Sequence, residues 1–396
     1  MYPLMMHAKW HYIKYKVRLE RDMVLPVLHA LQGHPESGRC WESHINKILS
    51  MPDLQFKSTT HDRCIYRATY EGIPIYLLCQ VDDFALAASN EDIAKAIYKR
   101  IGNHLKLPSE TTVPIKYLGP LTEFNGVDVT QYNDSIVVSC HNYIDRVLKT
   151  HSWTTPAPNK SKYAGSPLPT DCISQLYSEP GYAKASPEHS KLIKKHNFGY
   201  RQLPGELLYA YVTCRPDIGY AVITLSKFAS KPGDFHFHML KHVAIYLRRT
   251  KHWGIIYHRP LLDLQEPQLP PNPQPGASVD SSLPDFPSID PHTLTCFVDA
   301  AHGNNLDTRR STTGYGLVLA GGCVSYRCKT QTATATSSME AEFYAAVSVA
   351  KQAKYLRAVL TELGFQPSSP TILFCDNEST IKMVYSRIPT ERSHYI

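Results

Sequence analysis

Short alternating apolar runs mark the first 150 positions, and from about residue 199 apolar residues recur at helical spacing. Ile73-Pro-Ile-Tyr-Leu-Leu78 and Ala85-Leu-Ala-Ala88 flank Cys79-Gln-Val-Asp-Asp-Phe84 and read as the strands of a hairpin. Residues 205–213 predict a compact apolar helix that stops near Arg215-Pro-Asp217, and residues 218–228 a second. Residues 235–249 predict a third, with Lys241, His242, Arg248 and Arg249 beside Leu240, Val243, Ile245 and Leu247. That is the pattern of a basic amphipathic surface helix. After residue 293 the order is strand (293–298), strand (314–320), strand (322–328), long helix (338–363), strand (371–375), helix. Gly321-Gly322 supplies a tight turn between the second and third of these strands. Strands followed by strand–helix alternation predict a mixed sheet covered by helices, an α/β fold.

Two stretches lack periodicity. Residues 155–190 are rich in Pro, Ser, Lys and Asn and read as a loop or tether. Residues 260–291 hold nine of the 29 prolines and read as an extended linker open to proteolysis. The expected division is therefore 1–150, 151–258, a linker at 259–292, and 293–396. The length of 396 residues accommodates several cores of this size.

Composition narrows the function only a little. A net charge of +7 permits a polyanionic partner without demanding one. Ten cysteines without a CxxC pair or zinc-type spacing read as reduced core residues. No apolar run approaches the roughly 18 residues of a membrane span, and the opening residues lack the pattern of a signal peptide.

Carboxylates carry the chemistry. Asp82 and Asp83 are adjacent at the expected hairpin tip, where they repel unless a cation or a solvated turn accepts them. A hard ion such as Mg²⁺ is one reason to build such a pair, and a plain turn is the other. In the last block Asp299 and Asp376 each follow a strand, so both point into the crevice at the carboxyl ends of the sheet. The long helix offers two more acids. Ser337-Ser-Met-Glu340 is a capping-box pattern, which accounts for Glu340. Glu342 instead continues an apolar stripe through Ala346, Ala350, Ala353, Leu356, Leu360 and Leu363, where a carboxylate is costly without an ionic partner. Asp299, Glu342 and Asp376 together form a set able to hold two Mg²⁺ or Mn²⁺ ions for phosphodiester hydrolysis.

These motifs, in this order, resemble the later part of a copia-type retrotransposon polyprotein. Ala30-Leu-Gln-Gly-His-Pro-Glu-Ser-Gly-Arg-Cys-Trp41 falls on the family's Ala-Leu-Tyr-Gly-Leu-Lys-Gln-Ala-Pro-Arg-Ala-Trp, and Gln80-Val-Asp-Asp83 on its polymerase box Tyr-Val-Asp-Asp. Asp62-Arg-Cys-Ile-Tyr66 and the run Leu118 to Val129 match further family stretches. Tyr200-Arg-Gln-Leu-Pro-Gly-Glu-Leu-Leu-Tyr209 followed by Thr213-Cys-Arg-Pro-Asp-Ile-Gly-Tyr-Ala221 is the strongest match. Arg309-Arg-Ser-Thr-Thr-Gly-Tyr315, Ser338-Met-Glu-Ala-Glu-Phe-Tyr344 and Cys375-Asp-Asn-Glu-Ser379 resemble RNase H stretches of the same elements.

The resemblance implies a partial reverse transcriptase over 1–150, a helical thumb and connection over 151–258, and an RNase H-like domain with a mixed five-stranded sheet over 293–396. It makes Asp82, Asp83, Asp299, Glu342 and Asp376 the catalytic, metal-binding acids. Arg39, Lys241, Arg248 and Lys251 become the candidates for nucleic-acid backbone contacts. The implied partners are an RNA template, an RNA–DNA hybrid and other polyprotein parts such as integrase and Gag. The implied location is the cytoplasm, in a virus-like particle, or the nucleus.

The departures bear on activity. The family's first polymerase aspartate precedes the motif at 30–41, and residues 1–26 offer only Asp22, within Leu19-Glu-Arg-Asp-Met23. The fingers and first palm strand are expected to be missing. Glu36, Gly38 and Gln80 replace the family's Gln, Pro and Tyr. The family's fourth RNase H acid follows a His-Ile pair, and Arg392-Ser-His-Tyr-Ile396 stops one residue short of it. Polymerase activity is therefore expected to be defective and hybrid ribonuclease activity feeble. The alternative is a non-catalytic nucleic-acid-binding relic of a decayed element. A purely structural protein would leave the clustered acids unexplained.

Overall fold

The computed structural model describes residues 16, 34–106, 115–155, 165–184, 186–259 and 293–386. Asp22, the start of the motif at 30–41, the proline-rich segment and residues 392–396 lie outside these described residues. The chain divides into two compact units, Met1–Gly119 and Pro120–Ile396.

In the first unit, helix α1 (Pro35–Leu49) begins with proline in its first turn, where no N–H partner is lost. Strands β1 (Lys57–Ser58), β2 (Ile65–Tyr70), β3 (Ile73–Gln80) and β4 (Asp83–Ala87) form an antiparallel sheet in sequence order. Helix α2 (Glu91–Leu105) is capped by Asn90, whose side chain accepts from the Ile93 N–H. Ile93, Ile97 and Ile101 recur at one-turn spacing and are buried with Ile45 and Leu49 of α1 and Ile75 and Leu77 of β3. The sheet is thereby held by one helix before it and one after it.

The second unit opens with β5 (Glu123–Phe124), β6 (Val127–Gln131), β7 (Ser135–Ser139) and α3 (His141–Thr150). Helices α4 (Ile173–Ser178), α5 (Pro187–His196), α6 (Gln202–Thr213), α7 (Gly219–Ser226) and α8 (Asp234–Arg249) follow, and β8 (Gly254–His258) returns to pair with β7. That long-range pairing, invisible to local periodicity, is why residues 120–150 belong with the helices and not with the first unit.

The segment at 155–190 is more than a tether. Leu168, Cys172 and Leu176, spaced four apart, are buried in the helical core. Helix α8 also departs from expectation. Phe237, Leu240, Val243 and Leu247 are buried, and so are His236 and His242, so the helix is a core element. Its two buried imidazoles hydrogen-bond to carbonyls, Nε2 of His236 with Leu176 and Nε2 of His242 with Ser166, which makes burial tolerable.

The last part comprises β9 (Thr295–Ala301), β10 (Thr312–Leu319), β11 (Gly322–Thr330), α9 (Ser338–Leu363), β12 (Ile372–Cys375) and α10 (Glu378–Ser386). The sheet order is β11-β10-β9-β12, antiparallel except for the parallel β9/β12 pair. The class is α/β as expected, but the described residues provide four strands where the resemblance implies five. The tight turn is Ala320-Gly321, with φ of 54° and 76°, not Gly321-Gly322. Gly322 serves another purpose: a Cβ there would lie 2.6 Å from the Ile256 carbonyl of β8.

Strand β8 thus packs against this hairpin. The His258 N–H donates to the Ala320 carbonyl, and the Tyr257 hydroxyl to the Cys323 carbonyl. The Tyr326 hydroxyl donates to the Tyr211 carbonyl of α6. The blocks on either side of the proline-rich segment therefore form one unit. Among the described residues no helix is long and apolar enough to cross a membrane.

Candidate metal centre

The two carboxylate sets differ in construction. At the β3–β4 turn Gln80 pairs with Asp83, which leaves Val81 and Asp82 as the two turn residues. Val81 has φ of 57°, a left-handed conformation that a β-branched residue adopts under strain. The Trp41 indole N–H donates to the Val81 carbonyl, tying α1 to this turn. Trp41 was singled out above only as part of a matching motif; its reach to the turn depends on a contact across 40 residues. Asp82 and Asp83 are both exposed, and among the described residues no third metal-ligating group joins them.

The second set converges. Asp299 lies within β9, Asp376 just after β12, and Glu342 on the second turn of α9. The parallel pairing of β12 with β9 sets Cys375 opposite Val298, so both acids leave the same end of the sheet. Glu342 is only 5% exposed, and the Ala300 N–H donates to its Oε1 at 3.0 Å. Its Oε2 is buried without a hydrogen-bond partner. Burial pushes the Glu342 carboxyl up to about 7, and the neighbouring Asp299 and Asp376 carboxylates raise it further, against the Ala300 N–H.

The apolar stripe beneath this acid runs through Ala341, Ala345, Val349 and Ala353. The stripe expected through Ala346 and Ala350 is one residue out of phase, and Ala350 is exposed. Glu342 therefore sits at the edge of the core, where its head reaches the crevice. Glu340 caps as expected on one side, since its N–H donates to Ser337 Oγ. Its carboxylate reaches one residue further back than a capping box, accepting from the Thr336 N–H and hydroxyl and from the Tyr344 hydroxyl. The Thr336 N–H holds this carboxyl below its ordinary range.

One neighbour was not anticipated. Ligand atoms of Glu342, Cys375 and Asp376 all lie within 4.8 Å of one another. Burial raises the Cys375 thiol, which keeps it protonated and a poor ligand for a hard ion. Asp299 is not part of that 4.8 Å group, but its carboxylate is near enough to raise Glu342, and an orphaned buried carboxylate oxygen beside two further acids favours positive charge.

The candidate backbone contacts are engaged internally. Arg39 lies 3.4 Å from Glu36, Lys241 stands over the Trp153 ring, Arg248 donates to the Trp153 and Thr155 carbonyls, and Lys251 pairs with Asp145.

Residues 13–162 match the family model described as reverse transcriptase (RNA-dependent DNA polymerase). The chain is 26% identical over 387 residues to the retrovirus-related Pol polyprotein from transposon TNT 1-94 of Nicotiana tabacum, covering 96% of this chain and 25% of that protein. It is 24% identical over 356 residues to the corresponding polyprotein from transposon RE2 of Arabidopsis thaliana, covering 90% of this chain and 20% of that one. Over most of its length the chain is similar to copia-type retrotransposon Pol polyproteins, which supports a retrotransposon polyprotein fragment. A putative transposon Ty5-1 protein of Saccharomyces cerevisiae is 28% identical over 310 residues, which is 78% of this chain and 82% of that protein. The chain spans about a quarter of the length of the tobacco Pol polyprotein. As a Pol segment containing reverse-transcriptase sequence, it carries the family's Asp-Asp box on the β3–β4 turn.

Proposed function

We propose that the second unit hydrolyses the RNA strand of an RNA–DNA hybrid with a divalent cation, Mg²⁺ or Mn²⁺, held by Asp299, Glu342 and Asp376. The observation that carries this reading is the buried Glu342 with one oxygen fixed by the Ala300 N–H and the other unpartnered between two acids. Bound there, the cation supplies an activated water for attack on a phosphodiester and screens the developing charge. The protein holds Glu342 rigidly, so its free oxygen is aimed before any ligand arrives. Asp299 and Asp376 remain exposed at the mouth of the crevice, where a phosphate can approach. A carboxyl near 7 releases its proton when the cation binds, so cation affinity rises with pH up to that range. Among the described residues the close group of possible ligands holds two acids, Glu342 and Asp376, with Cys375, and turnover is expected to be slow.

The first unit presents a polymerase-type turn with two exposed acids, and we read it as inactive in primer extension. The expected partners are a hybrid duplex and other parts of the Pol polyprotein, and the expected setting is the element's particle in the cytoplasm. The test is cleavage of a labelled hybrid in Mn²⁺ or Mg²⁺. Asp376→Asn should abolish it, and Mn²⁺ binding followed by electron paramagnetic resonance should weaken in the same variant. A parent chain that neither cleaves nor binds Mn²⁺ in an Asp376-dependent way overturns the reading and leaves nucleic-acid binding alone.

A further inference from the structure

On the helix-covered face of the last sheet, an open groove of about 320 Å³ runs between the outer strand β11 and helix α9. Its walls carry Arg327 and Lys329 from β11 and Lys351 and Ser348 from α9, and no acid lines it. Among the described residues none of the three cations makes an ion pair, and Arg327, Lys329 and Lys351 are all exposed. That sets them apart from Lys241, Arg248 and Lys251, each of which has an internal partner. Uncompensated cations held together on rigid elements repel one another, and an anion is what relieves that repulsion.

Register fixes how the groove relates to the acids. Lys329 pairs with Thr313, and Thr313 with Ala300, the residue after Asp299. Lys329 and Ala300 are therefore two strand spacings apart, about 10 Å. Arg327 faces Tyr315, which faces Val298, so Arg327 and Lys329 project on the same side of the sheet as the buried Val298 and Ala300, whereas Asp299, opposite Gly314, projects on the other side. Gln331 forms part of the lining: its Nε2 donates to Thr313 Oγ1 and the Ala341 carbonyl, while its Oε1 is buried without a partner.

We propose that this groove, whose walls carry three cations and no acid, binds the phosphodiester backbone of a nucleic-acid strand, with Arg327, Lys329 and Lys351 as its phosphate contacts. Assigning the strand to a hybrid rests on the ribonuclease reading above; binding by the groove itself does not. Ser348 and the threonines of the lining add hydroxyl donors to phosphate oxygens.

The experiment measures fluorescence anisotropy of a labelled RNA–DNA hybrid, single-stranded RNA and single-stranded DNA with the full chain in EDTA, where no cleavage intervenes. The charge-reversed triple variant Arg327→Glu, Lys329→Glu, Lys351→Glu is compared with a triple of equal charge change elsewhere, Lys184→Glu, Lys191→Glu, Lys194→Glu. Loss of three phosphate contacts should flatten the slope of log K against log salt by about 2.7, roughly a fortyfold difference in salt sensitivity between 50 and 200 mM. The control triple should shift the slope by less than one, and Arg327→Lys with Lys329→Arg and Lys351→Arg should retain binding. The three probes identify which strand the groove holds. Equal slopes for the two triples overturn the proposal, as does capture of the chain by phosphatidylserine vesicles without nucleic-acid binding. Groove-dependent binding without any cleavage in Mn²⁺ would keep the groove and sink the ribonuclease reading.

Discussion

The two regions that present acids, the β3–β4 hairpin and the β9–α9–β12 crevice, show how little a carboxylate motif says until burial is known. Asp82 and Asp83 are adjacent in sequence, yet both are exposed, and water can solvate them without a cation. Asp299, Glu342 and Asp376 are far apart in sequence, yet folding brings them together around one buried carboxylate with an unpartnered oxygen. The hairpin is organised around its backbone, through the Trp41 N–H on the Val81 carbonyl and a left-handed Val81. The crevice is organised around charge. Strain positions one site, and desolvation primes the other.

The most direct way to break this comparison is to neutralise acids in each. Asp299→Asn or Asp376→Asn should lower hybrid cleavage by about a hundredfold or more, the usual loss when stabilisation at the reacting phosphate is removed. Asp82→Asn with Asp83→Asn should leave cleavage unchanged, and neither parent nor double variant should extend a primed RNA template. Extension by the parent that the double variant abolishes would put a working polymerase centre at the hairpin and erase the contrast.

Much of the crevice was legible in the chain itself. Asp376 follows its strand as expected, whereas Asp299 lies inside β9 and the apolar stripe that singled out Glu342 is one residue out of phase. The capping pattern at Ser337 correctly separated Glu340 from it. What escaped were features carried by contacts between distant residues. Cys375 precedes Asp376 as an ordinary core cysteine and joins the acids only because β12 runs parallel to β9. The boundary at Gly119 escaped because β7 pairs with β8 more than a hundred residues later. Helix α8 looked like a surface helix because Lys241 and Arg248 are flexible enough to reach polar partners while the helix body is buried.

A smaller effect sharpens the electrostatic side. The Glu342 carboxyl lies near 7 in the folded chain against an ordinary 4.5, so the folded state binds its proton more tightly than the unfolded state. Its contribution to stability is therefore complete below about pH 4.5 and is lost as pH rises through 7. Glu342→Gln should stabilise the metal-free chain by up to on the order of 3 kcal/mol near pH 8 and change little near pH 4.5. Urea midpoints at the two pH values measure it. Equal effects at both would mean that Glu342 is not held protonated by its surroundings.

On the hairpin side the corresponding change is Val81→Gly. The first position of a two-residue turn with positive φ there favours glycine, and the left-handed region costs an ordinary residue about 1–2 kcal/mol. Part of that gain is offset by the extra freedom of glycine in the unfolded chain, about 0.5–1 kcal/mol. The net expectation is stabilisation of about 1 kcal/mol or less, read as a higher urea midpoint. A fall in the midpoint would show that Val81 contributes packing that outweighs its strain.

The smallest effect concerns the cations that looked like a backbone track. Lys251 pairs with Asp145 at 3.0 Å, and both side chains are partly exposed, so Lys251→Ala should cost no more than about 1 kcal/mol. The internal bond already uses its charge, so a phosphate would have to displace a carboxylate to reach it. Lys251→Ala should therefore leave the salt dependence of hybrid binding unchanged, whereas a single reversal at Lys329, which has no ion-pair partner among the described residues, should flatten that dependence. Titrations of the two variants over the same salt range compare them directly. If Lys251→Ala flattens the slope as much as Lys329→Glu does, the pair with Asp145 opens when nucleic acid binds, and internal partnering is no guide to which cations meet the backbone.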